Sequence, residues 1–215
     1  MVPSLHDAGE AGPPYWKRHA DAVARALEPV AAQHPMILVG HSGAGPLLPV
    51  ISHVTGRPIV AYIFVDAGIP RDGASRLDLM AGELPEAAGP LRQRLADGER
   101  FPNWRDQDLR DNIPDVKLRQ GVLAELCPQP LVYFAEPIPV FKGWPDAPCG
   151  YLKFTSSYDV PAAQAQKEGW EYLGIEGGHF HMLVEPSVVA GALIRLAAQM
   201  GIATDPEAAN SAEIP

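Results

Sequence analysis

Hydrophobic and polar positions follow two different periods in the first seventy residues. Over residues 16–32, apolar residues recur every three or four positions, which predicts an amphipathic helix with one buried face. Continuous apolar runs at 36–39 and 59–65 are typical of strands covered on both faces of a parallel sheet. A second helix is predicted between them, over 46–54. This order predicts an α/β fold, a mostly parallel sheet flanked by helices and joined by right-handed crossovers.

The pattern changes after residue 70. Helical segments at 90–96 and 116–126 are separated by prolines, which indicates an inserted helical subdomain over 71–146. Strand patterns return at 150–155 and near 170–175, and a last amphipathic helix carries apolar residues from 188 to 200. We therefore expect a core formed by 1–70 and 147–202, with a flexible tail over 203–215 that has little to pack against.

Charge and cysteine content narrow the function classes. The net charge of −9 and pI of about 5.2 disfavour binding to nucleic acid or to an anionic membrane surface. The N-terminus lacks the pattern of a signal peptide, and no apolar run approaches the ~20 residues of a membrane span, so we expect a soluble cytoplasmic protein. Cys127 and Cys149 have no metal-site spacing and are expected to be free thiols.

The segment ILVGHSGAGP, at 37–46, places Ser42 among small residues directly after a predicted strand. A strand that turns straight into a helix here strains the backbone of the serine, and bulky side chains at Gly40 or Ala44 would clash. The hydroxyl would project above the carboxyl end of the sheet, where open α/β folds bind ligands. The segment has neither the lysine of a P-loop nor the spacing of a dinucleotide site. It therefore predicts a nucleophilic serine.

A serine hydroxyl needs a base to take its proton and an acid to orient that base. His179 follows two glycines after the last predicted strand, and Asp159 follows the strand before it. The chain order Ser42, Asp159, His179 is that of a serine, acid, histidine triad. Asp66 also ends a strand and is the alternative acid. His179 and His181 have no third ligand at a suitable spacing, so no metal site is predicted.

The segments ILVGHSGAG, AYIFVDAGIP, SYDVP and GGHFHMLVEP resemble the α/β-hydrolase fold family over about residues 3–200. The resemblance implies Ser42 as nucleophile, Asp159 as acid, His179 as base and the backbone of Gly43 as an oxyanion-hole amide. It also implies that the insertion over 71–146 is a helical lid.

In that family, three more strands precede the region matched by VPSLHDAGEAG, and the loop after the third supplies a second oxyanion amide. We therefore expect an N-terminally shortened fold, either a truncated product or a naturally shortened sheet. Loss of one oxyanion donor costs about 10²–10³ in turnover, so activity would be reduced without being zero.

The resulting function prediction is a serine hydrolase that cleaves a small uncharged ester or related acyl compound through an acyl-enzyme, without cofactor or metal. Candidate pocket residues are His41, His181, Trp104 and Trp144, although irregularly spaced aromatic residues also suit a small core within the insertion. One alternative is lyase or acyltransferase chemistry with the same triad. Another is a non-catalytic or truncated protein, whose exposed sheet edge would favour a homodimer.

Overall fold

A computed structural model describes residues 1–5 and 12–203. Except for residue 203, the predicted tail lies outside the described residues. A single parallel sheet has the strand order β1-β2-β3-β4, so each strand lies beside its neighbour in sequence. The predicted α/β fold class is confirmed. The strands are β1 (Met36–Ser42), β2 (Ile59–Ala67), β3 (Cys149–Lys153) and β4 (Glu171–Gly174).

Ten α-helices are found in the described residues, and most predicted helices lie within one or a few residues of them. Two short 3-10 turns, Gly45–Leu47 and Ser156–Tyr158, follow β1 and β3. The helices are α1 (Tyr15–Ala26), α2 (Leu48–Thr55), α3 (Arg76–Glu83), α4 (Pro85–Ala96), α5 (Asp106–Leu109), α6 (Val116–Ala124), α7 (Leu131–Phe134), α8 (Asp159–Lys167), α9 (His181–Val184) and α10 (Pro186–Gln199).

The central strands are buried on both faces, as their continuous apolar runs predict. On one face, Tyr62, Phe64 and Tyr151 pack with the alanines of α8. On the other face, Ile63 and Leu152 pack with the apolar side of α10. Because successive side chains of a strand point to opposite faces, an unbroken apolar run supplies both layers. The core therefore holds β2 and β3 firmly, and with them the positions of the loops at their carboxyl ends.

Helices α3 to α7 lie in the insertion between β2 and β3, and α3 and α4 pack against each other. The first of these helices begins with a capping box, in which Ser75 and Asp78 satisfy each other's backbone N–H groups. The function of the insertion as a lid stays a prediction.

Strand β1 lies at one edge of the sheet, with Val39 48% exposed. The homodimer that was predicted to form through an exposed sheet edge stays a prediction. Within the part of the chain that the structure describes, no helix has both the length and the apolar character needed to cross a membrane.

Candidate active site

The turn after β1 is tight and strained. Ser42 has a φ of +53°, in the left-handed region that residues other than glycine rarely adopt. A Cβ on Gly45 would lie 2.7 Å from the carbonyl oxygen of Gly68, and a Cβ on Gly40 would lie 3.0 Å from the Cα of Gly45. A side chain at either position would crowd these backbone atoms. The steric requirement for a small residue, which was expected at Gly40, therefore also applies at Gly45. The turn places the hydroxyl of Ser42 at the carboxyl edge of the sheet.

Three side chains meet at this edge. Strands β1 and β2 are parallel neighbours, and Ser42 lies opposite Ala67, so Asp66 ends its strand beside the serine. His179 comes from the loop after β4, and its Nε2 lies 3.0 Å from the Oγ of Ser42. The Nδ1 of His179 lies 3.2 Å from the Oδ2 of Asp66. Ser42, His179 and Asp66 thus form one continuous chain of hydrogen bonds.

The tautomer of His179 follows from the two hydrogen-bond partners of its ring. An ionised carboxylate can only accept a hydrogen bond, so Nδ1 carries the ring proton and donates a hydrogen bond to Asp66. The unprotonated Nε2 is then left to accept from the hydroxyl of Ser42. This is the tautomer that a general base requires.

Asp66 is completely buried, with 0% of its surface exposed. Burial by itself raises the pKa of Asp66, but hydrogen bonds from His179, from the backbone N–H groups of Phe154 and Thr155 and from the Thr155 hydroxyl outweigh it. The pKa of Asp66 is therefore lowered below its ordinary value. The carboxylate stays ionised beside the histidine, and four donors fix its orientation.

The structure does not place the predicted acid, Asp159, beside His179. Asp159 begins α8, its side chain is 60% exposed, and it forms an ion pair with Lys153. Its strand, β3, is separated from β1 by β2, whereas Asp66 ends the strand directly beside the serine. Asp66, the alternative acid, occupies the position beside His179 for which Asp159 was predicted.

The loop SYDVP still contributes to the site, through Tyr158. The ring of Tyr158 stacks on that of His179, with centroids 5.3 Å apart and an angle of 8° between the planes. Its hydroxyl lies 3.4 Å from the Oγ of Ser42. Burial, which outweighs its hydrogen bond to Ser42, raises the pKa of Tyr158 to about 12, so the hydroxyl keeps its proton near neutral pH.

Two other contacts hold the histidine loop. The ring Nε2–H of His41 donates to the carbonyl oxygen of His179 across 2.9 Å. Burial, reinforced by the nearby His179, lowers the pKa of His41 to about 4, so His41 is neutral near pH 7. From the insertion, Asn112 accepts a hydrogen bond from the backbone N–H of His179 at 3.0 Å. His41, in β1, and Asn112, in the insertion, therefore both hold the loop that carries His179.

A cavity of about 300 Å³ opens beside Ser42. Its lining is largely apolar and comes mostly from the insertion. Trp104, a predicted pocket residue, lies in this wall and meets the ring of Phe180 edge-on, 5.6 Å away. The lining residues are Ser42, Gly43, Pro46, Gly68, Arg76, Leu79, Met80, Glu83, Leu84, Phe101, Pro102, Trp104, Cys127, Gln129, Tyr133, Phe134 and Tyr158.

The other three predicted pocket residues lie elsewhere. The ring of His41 packs against the ring of His179. His181 packs against Phe154, with ring centroids 5.6 Å apart. Trp144 packs on the sheet against Tyr62. In the described residues, none of these three lines the cavity, because each aromatic ring is taken up by packing.

The backbone of Gly43 faces the same cavity. Its amide N–H hydrogen-bonds to no other described residue. This amide directly follows the serine and is therefore available for a developing negative charge on the substrate. A second cavity, of about 440 Å³, lies where β3 and β4 begin. It is at the opposite edge of the sheet from Ser42, so it cannot supply groups to this site.

Comparison with known proteins identifies the fold family. Residues 3–192 match the alpha/beta hydrolase family. The chain belongs to this family. The resemblance noted in the sequence is thereby confirmed. No curated protein is significantly similar to the chain in sequence.

Several solved α/β-hydrolases share the fold. An extracellular alpha/beta-hydrolase of a Paenibacillus species, described as sharing structural and functional homology with tobacco salicylic acid binding protein 2, has 20% identity and a TM-score of 0.66, covering 84% of this chain and 79% of its own. Polyneuridine aldehyde esterase has 14% identity and a TM-score of 0.64, covering 85% and 79%. A pyrethroid hydrolase of Sphingobium faniae JZ-2 has 17% identity and a TM-score of 0.63, covering 91% and 84%. At these identities, the likeness shows the fold alone.

Within this α/β-hydrolase, sequence reasoning missed two residues beside the nucleophile. Tyr158 is adjacent in sequence to the predicted acid, and no periodicity separates its role from that of an ordinary loop tyrosine. Arg76 begins α3 and lines the cavity, although the sequence shows it only as one of many charged residues in the insertion. No local sequence signal ranks Asp66 above Asp159, because the ranking depends on which strand lies beside β1 in the sheet.

Proposed function

We propose that this α/β-hydrolase is a serine hydrolase that cleaves a small carboxylic ester or related acyl compound. The observation that carries the proposal is the hydrogen-bonded chain of Ser42, His179 and Asp66, which ends at the wall of a cavity. The strained φ of Ser42 supports it further, because backbone strain in a residue other than glycine clusters at functional sites.

In the proposed reaction, the Oγ of Ser42 attacks the ester carbonyl while the Nε2 of His179 takes the hydroxyl proton. The carbonyl π electrons move to the oxygen, and the Gly43 amide donates to this oxyanion. His179 then gives its proton to the departing alkoxide, which leaves as an alcohol. A water molecule repeats the sequence on the acyl-enzyme and releases the acid. Asp66 stabilises the imidazolium that forms in both halves.

Hydrolysis is preferred over lyase or acyl-transfer chemistry on the basis of the similar structures. Two of them are named as an esterase and a hydrolase. The same fold also occurs in tomato methylketone synthase I, at 14% identity, so the fold by itself does not decide the reaction. The largely apolar cavity suits the acyl chain of a small ester, with Arg76 and Glu83 as its charged lining residues.

The decisive experiment is labelling with a fluorophosphonate, which phosphonylates activated serines. We expect the wild-type chain to be labelled and mass spectrometry of its peptides to place the adduct on Ser42. Ser42→Ala should not be labelled, whereas Ser52→Ala, in α2, should be labelled like the wild type. An unlabelled wild type with a cooperative thermal transition would instead support the non-catalytic alternative.

Tyr158 provides a separate prediction about positioning. Tyr158→Phe removes the hydroxyl but keeps the ring that stacks on His179, so we expect kcat to fall by up to about 10-fold, the effect of one hydrogen bond. Tyr158→Ala also removes the stack, and displacement of the imidazole should lower kcat by about 10². The measurement is kcat and KM on a 4-nitrophenyl ester.

A structural role for Tyr158 alone would lower thermal stability without changing kcat per folded, labelled enzyme. Equal kcat values for Tyr158→Phe and the wild type would show that the hydroxyl is not used. Equal kcat values for Tyr158→Phe and Tyr158→Ala would show that the stacked ring does not contribute to kcat.

A further inference from the structure

Arg76 is a buried charge beside the nucleophile. It is 7% exposed, at the first position of α3, and it lines the same cavity as Ser42. Its Nε lies 4.0 Å from the position that a Cβ on Gly43 would occupy. The guanidinium therefore adjoins the residue whose amide faces the reacting carbonyl.

The guanidinium is only partly satisfied. Its Nη1 donates to the carbonyl oxygen of Tyr133 at 3.4 Å, and its central carbon lies 4.2 Å above the Tyr133 ring. Nε and Nη2 are buried and have no hydrogen-bond partner among the described residues. A buried donor left without a partner costs about 1–3 kcal/mol, and more when it is charged. A buried polar group of this kind calls for an explanation, and an ion that binds from outside the chain is one that satisfies it.

No described acidic side chain forms an ion pair with Arg76. The nearby carboxylate of Glu136 instead accepts from the backbone N–H groups of Tyr15 and Trp16, at 2.7 and 2.9 Å. Burial, together with the charge of Arg76, lowers the pKa of His19 to about 4, so His19 adds no positive charge of its own near neutral pH. Arg76 thus keeps two buried N–H groups that no described carboxylate accepts from.

Glu83 is the one acidic residue among the described residues that line the cavity. Burial raises the pKa of Glu83 to about 7, against the opposing effects of a backbone hydrogen bond and Arg71. Glu83 is therefore only partly ionised near neutral pH. A positive group in a cavity of this kind favours an anionic ligand.

We propose that Arg76 binds a carboxylate of the substrate, so that the ester cleaved at Ser42 is one that also carries a free carboxylate. This proposal rests on the proposed hydrolase function and replaces the uncharged substrate expected from the sequence. A guanidinium and a carboxylate match as a two-pronged, charge-assisted pair. Because protein atoms cover Nε and Nη2, this pair requires the side chain to rotate toward the cavity.

The test compares two ligands of nearly equal shape, phenylacetate and phenylacetamide, by calorimetric titration of the wild-type chain. Neither is an ester, so the result does not depend on turnover. We expect phenylacetate to bind about 10–100-fold more tightly, which is the range of a charge-assisted hydrogen bond. Arg76→Met should abolish this preference, and Arg76→Lys should retain part of it. Arg92→Met is the matched control, because Arg92 is an exposed arginine in the insertion.

Equal affinity for the acid and the amide in the wild type would overturn the proposal, as would a preference that survives in Arg76→Met. Fluorophosphonate labelling of the same variants separates this outcome from failure of the hydrolase proposal. Labelling without carboxylate preference would leave the hydrolase and exclude the carboxylate site. Carboxylate preference without labelling would leave the site and exclude the hydrolase.

A kinetic comparison completes the test. The mono-4-nitrophenyl ester of adipic acid and 4-nitrophenyl hexanoate have the same chain length and leaving group. We expect Arg76→Met to raise KM for the acidic ester about 10–100-fold and to leave the neutral ester nearly unchanged. An equal fall in kcat for both esters would mean that Arg76 acts at the reacting carbonyl, and would overturn carboxylate recognition.

Discussion

Asp66→Asn is expected to lower kcat by about 10⁴-fold, whereas Asp159→Asn should leave kcat within about two-fold of the wild type. An asparagine can donate to Nδ1 of His179, which favours the tautomer with the proton on Nε2 and removes the base from Ser42. It also withdraws the negative charge that stabilises the imidazolium. Asp159 is exposed and pairs with Lys153, so its charge has no such role.

The measurement is kcat on 4-nitrophenyl acetate, with thermal unfolding as the check on folding. Asp66 also accepts from the Phe154 and Thr155 backbone, and these bonds lose strength when the charge is removed. A lower melting temperature is therefore expected for Asp66→Asn, and rates are compared well below it. A large loss in Asp159→Asn with little loss in Asp66→Asn would restore the acid predicted from sequence and contradict the geometry.

Ser42→Ala and His179→Ala are each expected to reduce kcat by on the order of 10⁶-fold, and the double variant should lose little more. The nucleophile and its base act as one unit, since neither accelerates the reaction through this route without the other. What remains is the contribution of the oxyanion site and of substrate binding, about 10³–10⁴ above the uncatalysed rate. The measurement is steady-state hydrolysis of the same ester by all three variants.

His181→Ala is the control for this series, because His181 lies two residues from His179 but packs on Phe154. Its kcat should stay close to that of the wild type. Losses that add in the double variant would show that Ser42 and His179 act independently, which a triad does not allow. A large loss in His181→Ala alone would transfer the role of base to that residue.

The fold could be predicted to a large extent from local patterns. The continuous apolar run that became β2 implies burial on both faces, and its neighbours in sequence are its neighbours in the sheet. Ser42 could be found because the requirement for small residues around a strained turn is local, and Gly40 shows it directly. The insertion could be recognised because the pattern of apolar and polar positions changes after residue 70. Its contacts with Ser42 and His179 could not be predicted from that pattern.

The acid could not be decided in this way. Asp66 lies at the carboxyl end of β2 and Asp159 follows β3, so the chain order allows both. The choice depends on which strand lies beside β1 and on which carboxylate the surrounding N–H donors orient. Those donors, Phe154 and Thr155, follow β3 and lie 88 and 89 residues from Asp66 in sequence.

The sequence by itself determined the fold class and the family, and it predicted Ser42 and His179 as parts of the site, since each depends on residues that are close together along the chain. Only the tertiary structure decided the remaining parts of the site. It placed Asp66 against His179, brought Tyr158 to Ser42 and left two N–H groups of Arg76 without a described partner beside Gly43. These contacts join residues that are far apart in sequence. Only folding brings such residues together, because the buried parallel sheet aligns the carboxyl ends of its strands at one edge.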